Sequence, residues 1–317
     1  MRQDKELLEF DLLENGLDFI LSAINNLSNE GKAELKYGIL HLSAGVDLIL
    51  KYRLSKEHWT LLFSKIDAAS KEKLKSGDFT SVDSSGCIDR LKKICGIDFE
   101  TEDLNQLKHL RERRNRLEHF GITESAAALK STTLKVLNFI LDFINDQIDY
   151  SKLNVSEKNQ LDSIRQQLPE LEEFVEERLE LIEDEIESYK KLTAVTICLT
   201  CYQTALVIDE GTKCLFCGAH GEGEKVAEEF VFKILGISQY DTKDGEEYPV
   251  YECFECGAES MVHSNQEYDS FDWLCFTCGT KWDEDEIEYC ETCGGPYMTS
   301  KHDIGMCSNC IEHQMNQ

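Results

Sequence analysis

Residues 182–217 read IEDEIESYKKLTAVTICLTCYQTALVIDEGTKCLFC, and the two halves of that stretch follow different rules. On the left, Ile182, Ile186 and Tyr189 stand three or four apart among glutamates, the spacing of one helical face. To the right of Thr193, short β-branched runs alternate with Cys-x-x-Cys turns. The chain is therefore helical before Thr193 and built of small cysteine-rich modules after it. The fold class expected is mainly α: an antiparallel helical bundle, a long acidic helix, then small β-rich modules.

Working rightward, six pairs stand in order: Cys198/Cys201, Cys214/Cys217, Cys253/Cys256, Cys275/Cys278, Cys290/Cys293 and Cys307/Cys310. An x-x spacing lets a tight turn aim two sulfurs at one ion, and four thiolates close a tetrahedral site. Neighbouring pairs form three quartets with 12, 18 and 13 intervening residues, which suits zinc ribbons and implies three structural Zn²⁺ ions. Gly218, Gly257, Gly279 and Gly294 directly follow a second cysteine, where the turn asks for a positive φ. Three alternatives stay open at this level: a cross-braced pairing of the same ligands, iron in place of zinc, and thiol switching. Sets of four ligands leave no position for catalysis at the metal. Cys87 and Cys95 fall outside the array and read as ordinary thiols.

Working leftward, Leu161, Ile164, Leu168, Leu171, Val175, Leu179, Ile182, Ile186 and Tyr189 alternate threes and fours like a coiled-coil seam, with a break expected at Pro169. That helix either packs on its own bundle or serves as a dimer handle. Residues 5–150 read as four long amphipathic helices. The first uses Leu7, Leu8, Leu12, Leu13, Leu17, Ile20, Leu21 and Ile24; the second follows a Ser28/Asn29 cap and runs past Arg53. The third is capped by Thr101 and closed by Gly121, and the fourth is capped by Thr123. Residues 76–86 read as a loop, and Val226 to Leu235 as a helical insert closed by Gly236. The expected divisions are 1–150 (bundle), 151–192 (acidic linker), 193–221 (first ribbon), 222–250 (insert) and 251–317 (two ribbons).

The 317 residues carry 33 Lys plus Arg against 61 Asp plus Glu, a formal net charge of -28. Residues 1–150 are nearly balanced at 21 against 25, whereas residues 193–317 hold 6 basic against 24 acidic groups. Three dianionic tetrathiolate centres would deepen that excess, so the cysteine-rich region repels phosphate and suits a protein partner. No run of 18 apolar residues offers a membrane span, and residues 1–10 lack the apolar core of a signal peptide. A cytoplasmic location is expected, where reduced thiols bind metal in preference to forming disulfides.

One basic cluster interrupts this acidity. Lys108, Arg111, Arg113, Arg114 and Arg116 precede Glu118 and His119 at the exit of the third helix. Arg114 and His119 make an Arg-x4-His pattern, but so do Arg53 and His58, and spacing does not separate them. Context does: the later copy reads Arg114-Asn115-Arg116-Leu117-Glu118-His119 and closes a helix before a turn. This resembles the HEPN superfamily, small four-helix-bundle domains with an Arg-Asn-x-x-x-His signature between their last two long helices. Residues Tyr37 to Lys51 also look like the long early helix of bacterial members.

The resemblance covers about residues 5–150 and implies a metal-independent endoribonuclease, a toxin or antiviral effector, whose site forms between two copies of the chain. It implies catalytic roles for Arg114, Asn115 and His119, with Lys108, Arg111, Arg113 and Arg116 holding RNA. Gly121 stands where one branch of the superfamily has a modifiable tyrosine, so that form of control is not expected. Asn115 lies one turn before His119, whereas Arg114 lies about 140° away at ~100° per residue. The competing reading is a non-catalytic dimeric adaptor whose acidic ribbons bind a protein.

Overall fold

The computed structural model describes residues 10–209, 211–238, 248–263, 272–299 and 305–315. The chain parts into two compact units, Met1–Val175 and Glu176–Gln317. The division falls inside a helix, so the segment read as a linker over 151–192 is shared between both units.

The first unit contains α1 (Leu12–Leu27), α2 (Lys32–Glu57), α3 (Lys71–Ser76), α4 (Ser84–Cys95), α5 (Thr101–His119), α6 (Ala126–Gln147) and α7 (Val155–Gln167). The four long helices are those expected; Leu7 and Leu8 lie outside the described residues. Helix α2 is central, touching α1, α4, α5 and α6, while α7 lies on α1. Leu13, Leu17, Ile20 and Ile24 from α1 meet Ile39, Leu42, Ile49 and Leu50 from α2 in a fully buried layer. Glycines inside helices cost stability, and packing explains two of them here. A Cβ at Gly16 would sit 2.8 Å from Ile49 Cδ1, and one at Gly45 would sit 2.8 Å from Ile20 Cγ1. These gaps let α1 and α2 approach closely.

Helix ends differ from the sequence reading by one to three residues. Ser28 and Asn29 do not cap α2; their side chains turn back to the carbonyls of Ile24 and Asn25. The caps of α5 and α6 are Glu100 and Ser125 instead of Thr101 and Thr123, and α5 stops at His119. Helix α4 starts within the expected loop, where Asp83 Oδ1 accepts the Gly86 N–H at 2.7 Å. It buries Cys87, Ile88 and Leu91.

The break at Pro169 is present as a 3-10 turn, Leu168–Glu170, followed by α8 (Glu172–Lys190). Leu161, Ile164, Leu168 and Leu171 are buried, as are Ile182 and Ile186. These seam residues pack against their own chain, while Val175, Leu179 and Tyr189 are only partly buried.

In the second unit β1 (Ala194–Ile197), β2 (Thr204–Ile208), β3 (Thr212–Cys214) and β4 (His220–Gly221) form one antiparallel sheet in chain order. Helix α9 (Gly223–Lys233) follows, and Gly236 closes its end with φ 71°. The order then repeats: β5 (Tyr251–Glu252), β6 (Glu259–His263), β7 (Trp273–Cys275) and β8 (Lys281–Trp282) make a second sheet of the same topology. The third module departs from a ribbon: β9 (Ile287–Tyr289) pairs with β10 (Pro296–Met298), and its last cysteine sits in α10 (Ser308–Met315).

The first two modules pack as one block. A Cβ on Gly279 would meet Thr193 Oγ1 and lie 2.7 Å from the Ile208 carbonyl. Helix α9 packs on β6, with Phe230 and Phe276 rings 5.0 Å apart. Ile287 of β9 joins the core of the second module beside Trp273 and Trp282.

Candidate functional site

Four of the six cysteine pairs lie in turns that a glycine closes through a main-chain bond: Gly218, Gly257, Gly279 and Gly294 donate to the carbonyls of Cys214, Cys253, Cys275 and Cys290 at 2.8–2.9 Å. Their φ angles are 74°, 72°, 72° and 76°, the left-handed conformation the sequence asked of them. Tyr202 fills that position after Cys201 with φ 57°, the one non-glycine residue at positive φ among the described residues.

The turns bring the cysteines together as three sequential quartets, Cys198/Cys201/Cys214/Cys217, Cys253/Cys256/Cys275/Cys278 and Cys290/Cys293/Cys307/Cys310. All sulfurs within a quartet lie within 4.8 Å of one another. This arrangement removes the cross-braced alternative. Cys198 and Cys217 Sγ are 3.8 Å apart, Cys201 and Cys214 3.7 Å, and Cys253 and Cys278 3.7 Å. A tetrahedron with metal–sulfur bonds of about 2.3 Å has edges of about 3.8 Å, whereas a disulfide needs about 2.05 Å. The donor set therefore fits three structural metal sites.

Main-chain amides and hydroxyls surround the sulfurs. The Cys217 N–H points to Cys214 Sγ at 3.5 Å and the Thr277 N–H to Cys275 Sγ at 3.4 Å. Ser260 and Thr280 hydroxyls lie 3.2 and 3.1 Å from the sulfurs of Cys275 and Cys278. Protons are unevenly held in the first quartet. Hydrogen bonds from Cys201, Cys214 and Cys217 hold the Cys198 thiol well below its ordinary range, and the bond to Cys198 drives Cys201 and Cys217 well above theirs. In the third, main-chain donation from Cys307 and then Cys293 brings Cys290 down to about 6. Four packed sulfurs cannot all be anionic without a cation among them. Burial falls along the series: the first quartet is wholly buried, while Cys256 and Cys293 are exposed.

The second candidate lies at the end of α5, which packs on α2 and α6. Arg114 Nη1 donates to Asn115 Oδ1 at 3.0 Å, and its Nε lies 3.0 Å from Glu118 Oε1. The other Glu118 oxygen is 3.8 Å from His119 Nε2. Glu118 thus spans the angular gap between Arg114 and His119, a link that sequence spacing did not suggest. The His119 side chain is 65% exposed, and Phe120, 89% exposed, stands edge-on to its ring.

The remaining cations do not form one stripe. Arg113 and Arg116 are brought together by Glu124, whose oxygens accept from Arg113 Nε at 2.9 Å and Arg116 Nη1 at 2.8 Å. Lys108 lies 4.0 Å from Glu112. Arg111 lines a small pocket with Ser43, Asp47 and Ser84. In the earlier Arg-x4-His copy Arg53 reaches Gln147 and Glu57, while His58 ends α2 and bonds Thr60 at 2.7 Å in the next turn. Among the described residues no helix is long and apolar enough to cross a membrane. Comparison with protein-family models, curated proteins and solved structures returned no match.

Proposed function

We propose that this protein is an endoribonuclease of the HEPN type, cleaving RNA without a metal at the phosphate and working as a toxin or antiviral effector in the cytoplasm. The observation that carries the reading is the group Arg114, Asn115 and His119, gathered on exposed surface at the end of α5. Its chemistry matches ribose-assisted cleavage. The 2'-hydroxyl attacks the neighbouring phosphorus, the P–O5' bond breaks, and a 2',3'-cyclic phosphate and a 5'-hydroxyl result.

His119 transfers a proton at the attacking or the leaving oxygen, the general acid–base work to which an imidazole side chain is suited. Arg114 offers a planar fork to the phosphate oxygens and opposes the charge that grows on them. Asn115 holds the scissile phosphate. A second copy of the chain supplies the opposing set, so the active form is a homodimer. The three tetrathiolate centres hold structural Zn²⁺, the ion that best suits closed four-thiolate sites in a reducing compartment. They shape an acidic surface that docks a protein partner.

The test is cleavage of RNA by the purified protein in chelator-free buffer without added divalent metal, wild type beside His119→Ala and His58→Ala, with product ends mapped. His119→Ala should lose about 10²–10⁴-fold in rate. His58→Ala should keep cleaving, since His58 serves a turn. Equal cleavage by wild type and His119→Ala would refute the assignment. The adaptor reading is favoured by one observation, that Glu124 occupies both Arg113 and Arg116. It wins if the wild type cleaves nothing while His119→Ala and Arg114→Ala only lower stability.

A further inference from the structure

Arg178 lies on α8 and is 4% exposed. Its Nε donates to the Phe216 carbonyl at 3.1 Å and its Nη2 to the Leu215 carbonyl at 3.2 Å. Those carbonyls belong to the two residues between Cys214 and Cys217, the turn that carries half of the first quartet. The Phe216 carbonyl shares a peptide plane with the Cys217 N–H, and that N–H points to Cys214 Sγ at 3.5 Å. A cation on the oxygen of an amide polarises it and strengthens its N–H as a donor. The guanidinium therefore acts on the thiolate through one peptide group. A divalent ion in four thiolates leaves a net charge of -2, which buried positive charge nearby opposes.

We propose that Arg178 is an outer-sphere residue of the first metal centre, coupling metal retention there to the docking of α8. The proposal rests on metal occupancy of the quartets and not on the nuclease reading. The coupling is reciprocal: whatever the latch adds to metal affinity, the bound metal adds to the attachment of residues 176–190. The other two centres supply internal controls. No arginine follows Arg178 in the sequence, so the stretches that carry the other two quartets contain none. At the second, the turn between Cys275 and Cys278 is met instead by the start of α9, where a Cβ on Gly223 would lie 2.5 Å from the Phe276 carbonyl.

The experiment uses the full chain. Metal content is measured first by elemental analysis; the protein is then held in excess EDTA, pulsed with iodoacetamide, and the cysteine peptides are quantified by mass spectrometry. Arg178→Met keeps the stem and removes the fork, whereas Arg178→Lys keeps the charge with one donor group. The Met variant should expose Cys198, Cys201, Cys214 and Cys217 about 10–100-fold faster, with the other two quartets at wild-type rates and Lys in between. Amide exchange over residues 176–190 should rise as the first centre empties. Unchanged rates at the first quartet would overturn the proposal. So would an equal acceleration of all three, which marks general loosening. If the Met variant does not fold, the Lys variant carries the same comparison. A wild type with no metal and no protected thiols would remove the metal assignment and this proposal with it, a result distinct from a selective failure at Arg178.

Discussion

Gly279 and Gly294 hold the same place in their turns, directly after a second cysteine, with φ of 72° and 76°. Replacing either by alanine puts an L-residue in the left-handed region at a cost of about 1–2 kcal/mol. A narrower unfolded ensemble offsets that by about 0.4–1 kcal/mol, leaving roughly 1 kcal/mol at both positions. Their surroundings then separate them. A Cβ at 279 would run into Thr193 Oγ1 and lie 2.7 Å from the Ile208 carbonyl and 3.5 Å from the Ala194 nitrogen, while one at 294 meets nothing within 4 Å. Main-chain atoms cannot rotate aside, so overpacking adds about 1–3 kcal/mol at 279. Gly279→Ala should cost about 3 kcal/mol and Gly294→Ala about 1 kcal/mol. The difference of about 2 kcal/mol is roughly 30-fold in the unfolding equilibrium. The assay is a urea titration with iodoacetamide pulses, each quartet followed by its own peptides. Because Thr193, Ala194 and Ile208 belong to the first module, the Gly279 variant should loosen the first and second quartets together. Equal midpoints for the two variants, or a second quartet that loosens while the first stays protected, would refute the reasoning.

Two further outcomes follow from burial. Desolvation, with Asp47 adding to it, pushes the Cys87 thiol up from 9.0 to about 12. A folded pKa above the unfolded one means that its stabilising contribution is complete below pH 9 and is lost as pH rises from 9 towards 12, by at most about 1.4 kcal/mol per pH unit. Cys87→Ala should therefore flatten the alkaline decline in urea midpoint, and parallel curves for the two proteins would exclude this. In the metal series, the third quartet has Cys293 exposed and Cys307 and Cys310 partly so, whereas every ligand of the first is buried. Under chelator the third centre should empty first, with Cys293 alkylated earliest; prior release from the first quartet would contradict the burial argument.

What the sequence disclosed was whatever is decided within a few residues. A Cys-x-x-Cys-Gly turn carries its ligands, its closing bond and its positive φ in five neighbours, and the three quartets and four glycine angles were all legible from spacing. Pro169 removes an N–H wherever it stands, and the helix breaks there. The same logic failed at helix starts, because several residues in a row can cap. Between α1 and α2, Ser28 and Asn29 side chains bonded backward, and Gly31, at φ 149°, took the turn. Helix α4 was hidden because its first turn is Ser84, Ser85 and Gly86, weak helix formers held by Asp83 and by burial of Cys87 and Leu91.

The missed functional features share a different cause. Periodicity assigns a charged residue to a face but says nothing of what meets it there. Glu124 reaches back across a turn to Arg113 and Arg116, 11 and 8 residues away, so the basic cluster looks free in the sequence and is half engaged in the fold. Arg178 reads as one more charge on an acidic helix, yet it is buried because carbonyls 37 and 38 residues later receive it. This bears on the proposed chemistry at α5. With Glu124 bonded to two of the arginines, the proposed site would hold phosphate through Arg114, Asn115 and groups from a second copy. In that proposal Arg114 would exchange Glu118 for phosphate, and a surface pair of this kind costs little to part. A weak internal carboxylate is thus compatible with a site that stays assembled before RNA arrives and yields when it does.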